Sequence, residues 1–265
     1  MKASHTTKRT PMDSMRKTAL AAGILYLLTF ASSIPAALLL GNTLADPAYI
    51  TGAGADGQVR LAALFDIING LTAIGTAVAL YSVVKRQHEG FAIGFVVARL
   101  FEAAILFVGV LSVLSIASLR ATAAASADPA SLAAVGLAFT TLYEWAFALG
   151  TGIPALNAFL LGWLLYRSRL VPRAIPVIGL IGAPLFTSFI IGYIFGITDH
   201  GTTWHGIAVA PIFIWELVLG LWMTFKGFRK NAPLMVEAAA VTASPDSPTS
   251  APRTTIAVAT KAGAA

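Results

Sequence analysis

The chain has 265 residues, of which 57% are hydrophobic and 11% are charged, and its formal net charge is +6. Together with a mean hydropathy of +0.78, this composition excludes a soluble domain, because too few polar side chains are present to cover its surface. The sequence contains no cysteine, which excludes a disulfide framework and thiolate metal sites.

Six apolar stretches follow one another, and each reaches the roughly 20 residues that cross a hydrocarbon core about 30 Å thick. We place them at 18–40, 61–84, 91–119, within 132–166, 174–198 and 206–225. The first exceeds the roughly 7 to 15 apolar residues of a signal peptide, so we interpret it as a span. All six are continuously apolar, whereas the strands of a membrane barrel alternate apolar and polar residues. The sequence predicts an all-α, polytopic transmembrane helical bundle.

The basic residues fall on alternate sides of these spans. Thirteen precede the first span or follow the second, fourth and sixth, whereas the opposite loops hold only Arg60 and Arg120. The thirteen are Lys2, Lys8, Arg9, Arg16, Lys17, Lys85, Arg86, Arg167, Arg169, Arg173, Lys226, Arg229 and Lys230. By the positive-inside rule we expect both termini in the cytoplasm. A nucleic-acid patch would not sort in this way, so we predict no nucleic-acid partner.

Composition also divides the chain into three parts. We predict a basic cytoplasmic lead at 1–17, a six-helix transmembrane domain at 18–228, and a disordered cytoplasmic tail at 229–265, which is rich in Ala, Thr, Ser and Pro. Within the fifth span, Gly192 and Gly196 form a small-xxx-small pair, which indicates close packing against a neighbouring helix or a second protomer. Prolines inside spans predict helix kinks at Pro35, Pro154, Pro184 and Pro211.

Ionisable residues inside the spans are the main functional candidates, because a charge at the centre of a membrane helix costs roughly 2.5 to 3.5 kcal/mol. At about 1.5 Å per residue, Arg99, Glu102 and Glu216 lie about 15 to 20 Å from the basic side and form a candidate midplane polar site. One interpretation is structural: Arg99 bridges both acids and joins the third and sixth helices. The other is functional: one acid exchanges a proton or binds a cationic solute. The sequence favours the structural one.

A second polar group is expected nearer the opposite side. Counting residues from the basic side places Asp66 and Glu144 about 28 and 34 Å away, so with Asn69 they form a candidate outer vestibule. A stripe of polar and small residues on the second helix should face protein rather than lipid. Its members are Asp66, Asn69, Gly70, Ala73, Thr76 and Ala77.

Motifs of the common enzyme and cofactor classes are missing. The chain has no H-E-x-x-H zinc helix, no phosphate-binding G-x-x-x-x-G-K-[ST] loop and no G-x-S-x-G nucleophile elbow. His200, His205 and Asp199 could meet at the outer face, but two histidines in one short loop are more often interfacial polar residues than metal ligands. We therefore predict no catalysis, no cofactor and no metal.

Three segments carry a distinctive combination of residues. They are 79–90 with Arg99 and Glu102, 166–173 with 179–183, and Glu216 with 221–222 and 226–228. Together they resemble a family of bacterial membrane proteins, domain of unknown function 4386, over residues 16–228. The resemblance implies a single six-helix domain without an assigned reaction, in which residues 99, 102 and 216 occupy charged positions of the family pattern.

These observations predict a multi-pass, non-catalytic protein of the bacterial cytoplasmic (inner) membrane. The alternative is a small-solute or proton-linked transporter that uses the midplane Arg and Glu residues. The lipid bilayer is the expected partner, and the sequence leaves open whether a second copy or another membrane protein also binds.

Overall fold

Six helices form the fold of the residues that the structure describes, as the sequence predicts. The structure is a computed structural model that describes residues 14–44, 49–51, 54–123 and 128–236, and these contain no β-strand. The helices are α1 (Ser14–Leu44), α2 (Asp56–Val84), α3 (Glu89–Ala123), α4 (Pro129–Ser168), α5 (Ala174–Ile194) and α6 (Thr203–Phe225). Each is long and apolar enough to cross a membrane, so the prediction of six helices able to span a membrane is confirmed.

The second helix shows how these sequences divide between lipid and protein. Leu64, Leu71 and Val78 are more than half exposed, and their spacing of seven residues keeps them on one face. The opposite face carries the small and polar stripe predicted from the sequence, of which residues 70, 73, 76 and 77 are buried. The stripe therefore faces protein, as expected, while the branched apolar side chains face outward.

Consecutive helices pack against each other, and α1 packs against α6, so the bundle closes into a ring. The contact between α1 and α6 is fixed by Arg16, whose Nη1 donates to the carbonyl of Met223 at 2.8 Å and whose Nη2 donates to the carbonyl of Thr224 at 2.6 Å. The backbone N–H of Arg229 donates to the carbonyl of Leu170 at 2.8 Å. The residues near these contacts include most of the basic ones, so we call this the basic end and the opposite one the far end.

Glycines allow close approach between helices, but not at the pair predicted from the sequence. Helix α5 ends at Ile194, and Gly196 lies beyond it in a turn, with φ +68° and no atom within 4 Å of a Cβ built on it. The prediction that Gly192 and Gly196 form a helix-packing pair is therefore wrong, because apolar composition continues past the end of the helix. The tight contact of α5 is instead at Gly179, where an added Cβ would lie 2.7 Å from Trp215 Cδ2.

Most of the buried apolar side chains among the described residues belong to two separate clusters. The larger one fills the basic end and extends between α4, α5 and α6. The smaller one fills the far end between α1, α2 and α3, where Tyr49 and Ile50 from the α1–α2 loop pack into it. Tyr49 donates to Asp56 Oδ1 at 2.9 Å, and the same oxygen accepts from Arg120 Nε at 2.7 Å. Polar residues of the bundle centre lie between the two clusters.

The predicted lead and tail are described only in part. Helix α1 begins at Ser14, inside the predicted lead, and residues 1–13 lie outside the described residues. Residues 229–236 follow α6 and contact the bundle, where Ala232 is buried and Leu234 and Met235 pack against the larger core cluster. The remainder of the predicted tail, 237–265, also lies outside the described residues.

Candidate functional site

Arg99 is the centre of a buried polar cluster that joins four helices. Its Nη1 donates to both carboxylate oxygens of Glu102, at 3.2 and 3.1 Å, and its Nη2 donates to the hydroxyl of Tyr26 at 3.2 Å. The same Nη2 donates to Glu216 Oε1. The ion pairs of Arg99 with Glu102 and Glu216, which the sequence predicts, are therefore present.

Two members of this cluster are missing from the sequence prediction. Asn157 on α4 donates from Nδ2 to Glu102 Oε2 at 2.6 Å, and Tyr26 on α1 places its ring 5.3 Å from the guanidinium carbon of Arg99. Asn157 is a strong polar side chain within the long apolar run of α4, a signal that the sequence does carry. We refer to residues 26, 99, 102, 157 and 216 as the Arg99 cluster.

A cavity of about 180 Å³ lies against the Arg99 cluster. It lies between all six helices, and we call it the central cavity. Its lining comprises Thr29, Phe30, Ser33, Asn69, Arg99, Glu102, Leu106, Gly150, Thr151, Pro154, Phe186, Val209, Ile212, Phe213 and Glu216. The volume is below the roughly 300 to 1,000 Å³ of pockets for drug-sized ligands, so it suits a solute of few atoms.

The central cavity extends from the cluster toward the far end. On α3, which runs away from the basic end, the lining continues from Glu102 to Leu106; on α6, which runs toward the basic end, it begins at Val209 and ends at Glu216. On the basic side of Arg99 the bundle is filled by fully buried apolar side chains, which include Phe95, Leu161 and Leu219. The cluster therefore separates a cavity on one side from a closely packed core on the other.

Several polar groups at the centre of the bundle have unused hydrogen-bonding capacity. Arg99 and Asn157 are each no more than 2% exposed. Their atoms Arg99 Nε and Asn157 Oδ1 have no hydrogen-bond partner among the described residues. Glu216 uses only Oε1 within the described part of the chain. Because Pro154 has no N–H, the carbonyl of Gly150 lacks its usual helical donor. Arg99, Gly150 and Glu216 line the central cavity, where a polar or charged guest would supply hydrogen-bond partners.

The three residues of the predicted outer vestibule differ in their surroundings. Asn69 lines the central cavity with the Arg99 cluster. Asp66, one turn nearer the far end, is half-buried. Glu144 on α4 is exposed. Of the three residues, only Asn69 belongs to the described lining of the central cavity.

Aromatic and histidine rings form a separate group at the far end. The His200 ring lies 4.6 Å from that of Tyr193 and 4.9 Å from that of His205, measured between centroids. Burial, followed by the proximity of His205, lowers the pKa of His200, and Asp199 opposes this shift. The described residues contain no group of three or more His, Cys, Asp or Glu side chains that could hold a metal ion.

Comparison with known proteins identifies the family of this chain. Residues 21–227 match a family model described as "Domain of unknown function (DUF4386)". The chain belongs to that family. The match to the DUF4386 model begins in α1 and ends just after α6, so it contains the Arg99 cluster and the whole central cavity. Comparisons with curated proteins and with solved structures gave no match.

Proposed function

We propose that this DUF4386 protein is a non-catalytic, proton-linked carrier of small solutes in the bacterial cytoplasmic membrane. The observation that carries the proposal is the position of the Arg99 cluster, which lies between the central cavity and a closely packed core. A carrier needs a binding site near the membrane midplane that is accessible from one side at a time. A cavity on one side of a buried ionic cluster and a sealed core on the other match one such state.

The charge distribution supports an orientation for this state. Thirteen basic residues precede the first span or follow the second, fourth and sixth, and two occupy the opposite loops. By the positive-inside rule, the basic end and both termini are in the cytoplasm. The central cavity then lies on the outward side of the cluster, and the packed core lies on the cytoplasmic side.

The cavity lining also supports a non-catalytic role. A hydroxyl nucleophile needs a neighbouring base that accepts its proton. Two of the three hydroxyls in the described lining, those of Thr29 and Thr151, instead donate to backbone carbonyls of their own helices, at 2.6 and 2.8 Å. The lining contains no histidine or cysteine among the described residues. These groups suit binding and release of a solute better than bond cleavage.

The proposal is tested by reconstituting the protein in liposomes that contain a pH-sensitive dye. Gradients of small amines, amino acids, carboxylates and sugars are imposed one at a time, and movement of protons is recorded. We expect at least one solute to drive proton movement in the wild type and in the control Glu89→Gln, which alters an exposed acid at the start of α3. Glu102→Gln should abolish the movement because it removes a carboxylate of the cluster.

A scaffold role is the second candidate, and the bonds of Arg99 to α1, α3 and α6 favour it. In that case the cluster only fixes how the helices meet, and a second copy or another membrane protein binds at the lipid-facing surface. The scaffold role would replace the carrier proposal if no solute drives proton movement and if Glu102→Gln melts at a lower temperature than the wild type.

A further inference from the structure

We infer that the solute is a small organic monocation, an ammonium group on a short apolar chain, whose charge is held by Glu216 in the central cavity. This inference rests on the proposed carrier function and names its substrate class. It follows from the charge of the site, from the engagement of Arg99, from the free acceptors of the lining and from the apolar walls.

The formal charge of the site is the first argument. With both carboxyl groups ionised, the cavity lining carries two negative charges, on Glu102 and Glu216, and one positive charge, on Arg99. Among the described residues the lining contains no other titratable side chain, and the neighbouring members of the cluster are the neutral Tyr26 and Asn157. A buried charge without compensation is costly. One monovalent cation, or one proton, compensates the excess negative charge, so the two compete for the same place.

The engagement of Arg99 argues against an anionic solute. Arginine binds carboxylate and phosphate groups through paired donors on its planar head group. Here both terminal nitrogens already donate, Nη1 to Glu102 and Nη2 to Tyr26 and Glu216. Only Nε remains without a partner among the described residues. An anion would therefore find no arginine fork and would meet two carboxylates.

Glu216 is the better placed of the two acids. The side chain of Glu216 is 14% exposed, against 9% for Glu102, and both oxygens of Glu102 already accept hydrogen bonds. An ammonium group has three donors. One of them can bind Glu216 Oε2. Further acceptors in the same lining are the carbonyl of Gly150, which has no N–H donor at Pro154, and the side chains of Ser33 and Asn69.

The apolar residues of the lining favour an organic cation over a bare metal ion. Leu106, Phe186, Val209, Ile212 and the edge-to-face pair Phe30–Phe213 line the cavity. Ions such as Ca²⁺ take six to eight oxygen ligands, which these side chains do not supply. Aromatic faces, in contrast, attract organic cations, and aliphatic side chains bury their apolar chains.

The test compares n-butylammonium with its neutral and anionic analogues, butyramide and butyrate. Each is titrated by calorimetry into the purified protein in lipid nanodiscs, with empty nanodiscs as the blank. We expect n-butylammonium to bind at least about tenfold more tightly than either analogue, a difference of about 1.4 kcal/mol. Glu216→Gln should weaken its binding at least about tenfold, and the exposed control Glu89→Gln should not.

A second variant keeps the inference testable if Glu216→Gln fails to fold. Val209→Trp leaves the ionic cluster intact and fills the apolar part of the cavity, so it should also weaken n-butylammonium binding at least about tenfold. Equal or tighter binding of butyramide or butyrate would overturn the inference, as would full affinity in a folded Glu216→Gln protein. If other solutes then drive proton movement in liposomes, the carrier function stands without this substrate class. If neither binding nor movement occurs with any solute, both fail.

Discussion

At the scale of single residues, the strongest constraint is the placement of one guanidinium between two carboxylates in an apolar bundle. Removing one member of a buried ion pair leaves a charge without compensation, at a cost of about 3 to 5 kcal/mol. Replacing all members by apolar or neutral groups of similar size is often neutral, because no charge is then buried. The cluster therefore has to be judged from combined as well as single substitutions.

We predict that Arg99→Met lowers stability by about 3 to 5 kcal/mol, since it leaves Glu102 and Glu216 facing each other. Adding Glu102→Gln and Glu216→Gln should restore most of the loss. Thermal melting in detergent, followed by tryptophan fluorescence, measures both effects. Arg86→Met provides the control, because it removes an exposed arginine from the α2–α3 turn. A single variant as stable as the wild type would contradict a buried cluster.

Only some residues of the site could be predicted from the sequence. Arg99, Glu102 and Glu216 are predictable because charges in apolar helices are rare and expensive. Asn157 is harder to select, since an uncharged amide is tolerated in many membrane helices. Counting residues gives the height of Asp66 and Glu144 but not the direction in which each helix presents them. Asn69 of α2 lines the central cavity and Asp66 and Glu144 are not part of its described lining, a difference that depends on helix orientation and could not be predicted by counting residues.

At the scale of helices, close packing depends on positions where a side chain has no room. Gly179 of α5 faces Trp215 of α6, which is only 1% exposed and is the largest fully buried side chain among the described residues. The indole ring occupies the space that a methyl group at residue 179 would need. The glycine and the tryptophan together set the distance between the two helices.

Gly179→Ala should therefore destabilise the protein, although alanine favours a helix over glycine by up to about 1 kcal/mol. Overpacking typically costs roughly 1 to 3 kcal/mol, which exceeds that gain. Gly206→Ala is the matched control on α6, because a Cβ there meets no atom within 4 Å, and it should melt at or above the wild-type temperature. Equal melting of both variants would show that the indole ring moves aside freely.

Helix ends illustrate a limit of hydropathy. The predicted spans locate all six helices, but α4 runs over 40 residues and α3 over 35, well beyond the roughly 20 that a bilayer core requires. Hydropathy reports the part of a helix that lies in hydrocarbon. The ends of α4 are instead set by local chemistry: Asp128 caps its first turn by accepting from the N–H of Ser131, and Arg169 terminates it with φ 54°.

At the scale of the whole molecule, the topology and the charge distribution lead to one proposed orientation. Antiparallel neighbours in the ring bring the start of α1 and the end of α6 together, as the bonds from Arg16 to α6 carbonyls show. Most basic residues lie at that end, so the positive-inside rule applies to the bundle as a unit.

This orientation can be tested by labelling, because the chain contains no cysteine of its own. Ile197→Cys introduces a thiol at an exposed far-end position, and Asn231→Cys introduces one at an exposed basic-end position. In intact cells a membrane-impermeant maleimide should label Ile197→Cys, and it should label Asn231→Cys only after permeabilisation. The reverse pattern would place the central cavity on the cytoplasmic side of the cluster.

Closure of the ring has a consequence for how the protein is made. Because α1 is synthesised before α6, the bonds from Arg16 to the α6 carbonyls form only after the four intervening helices exist. Arg99 leaves the ribosome with Glu102 on its own helix, whereas Glu216 acquires its counter-ion only when α6 reaches α3. The arrival of the sixth helix thus completes both the ring of helices and the pairing of Arg99 with Glu216.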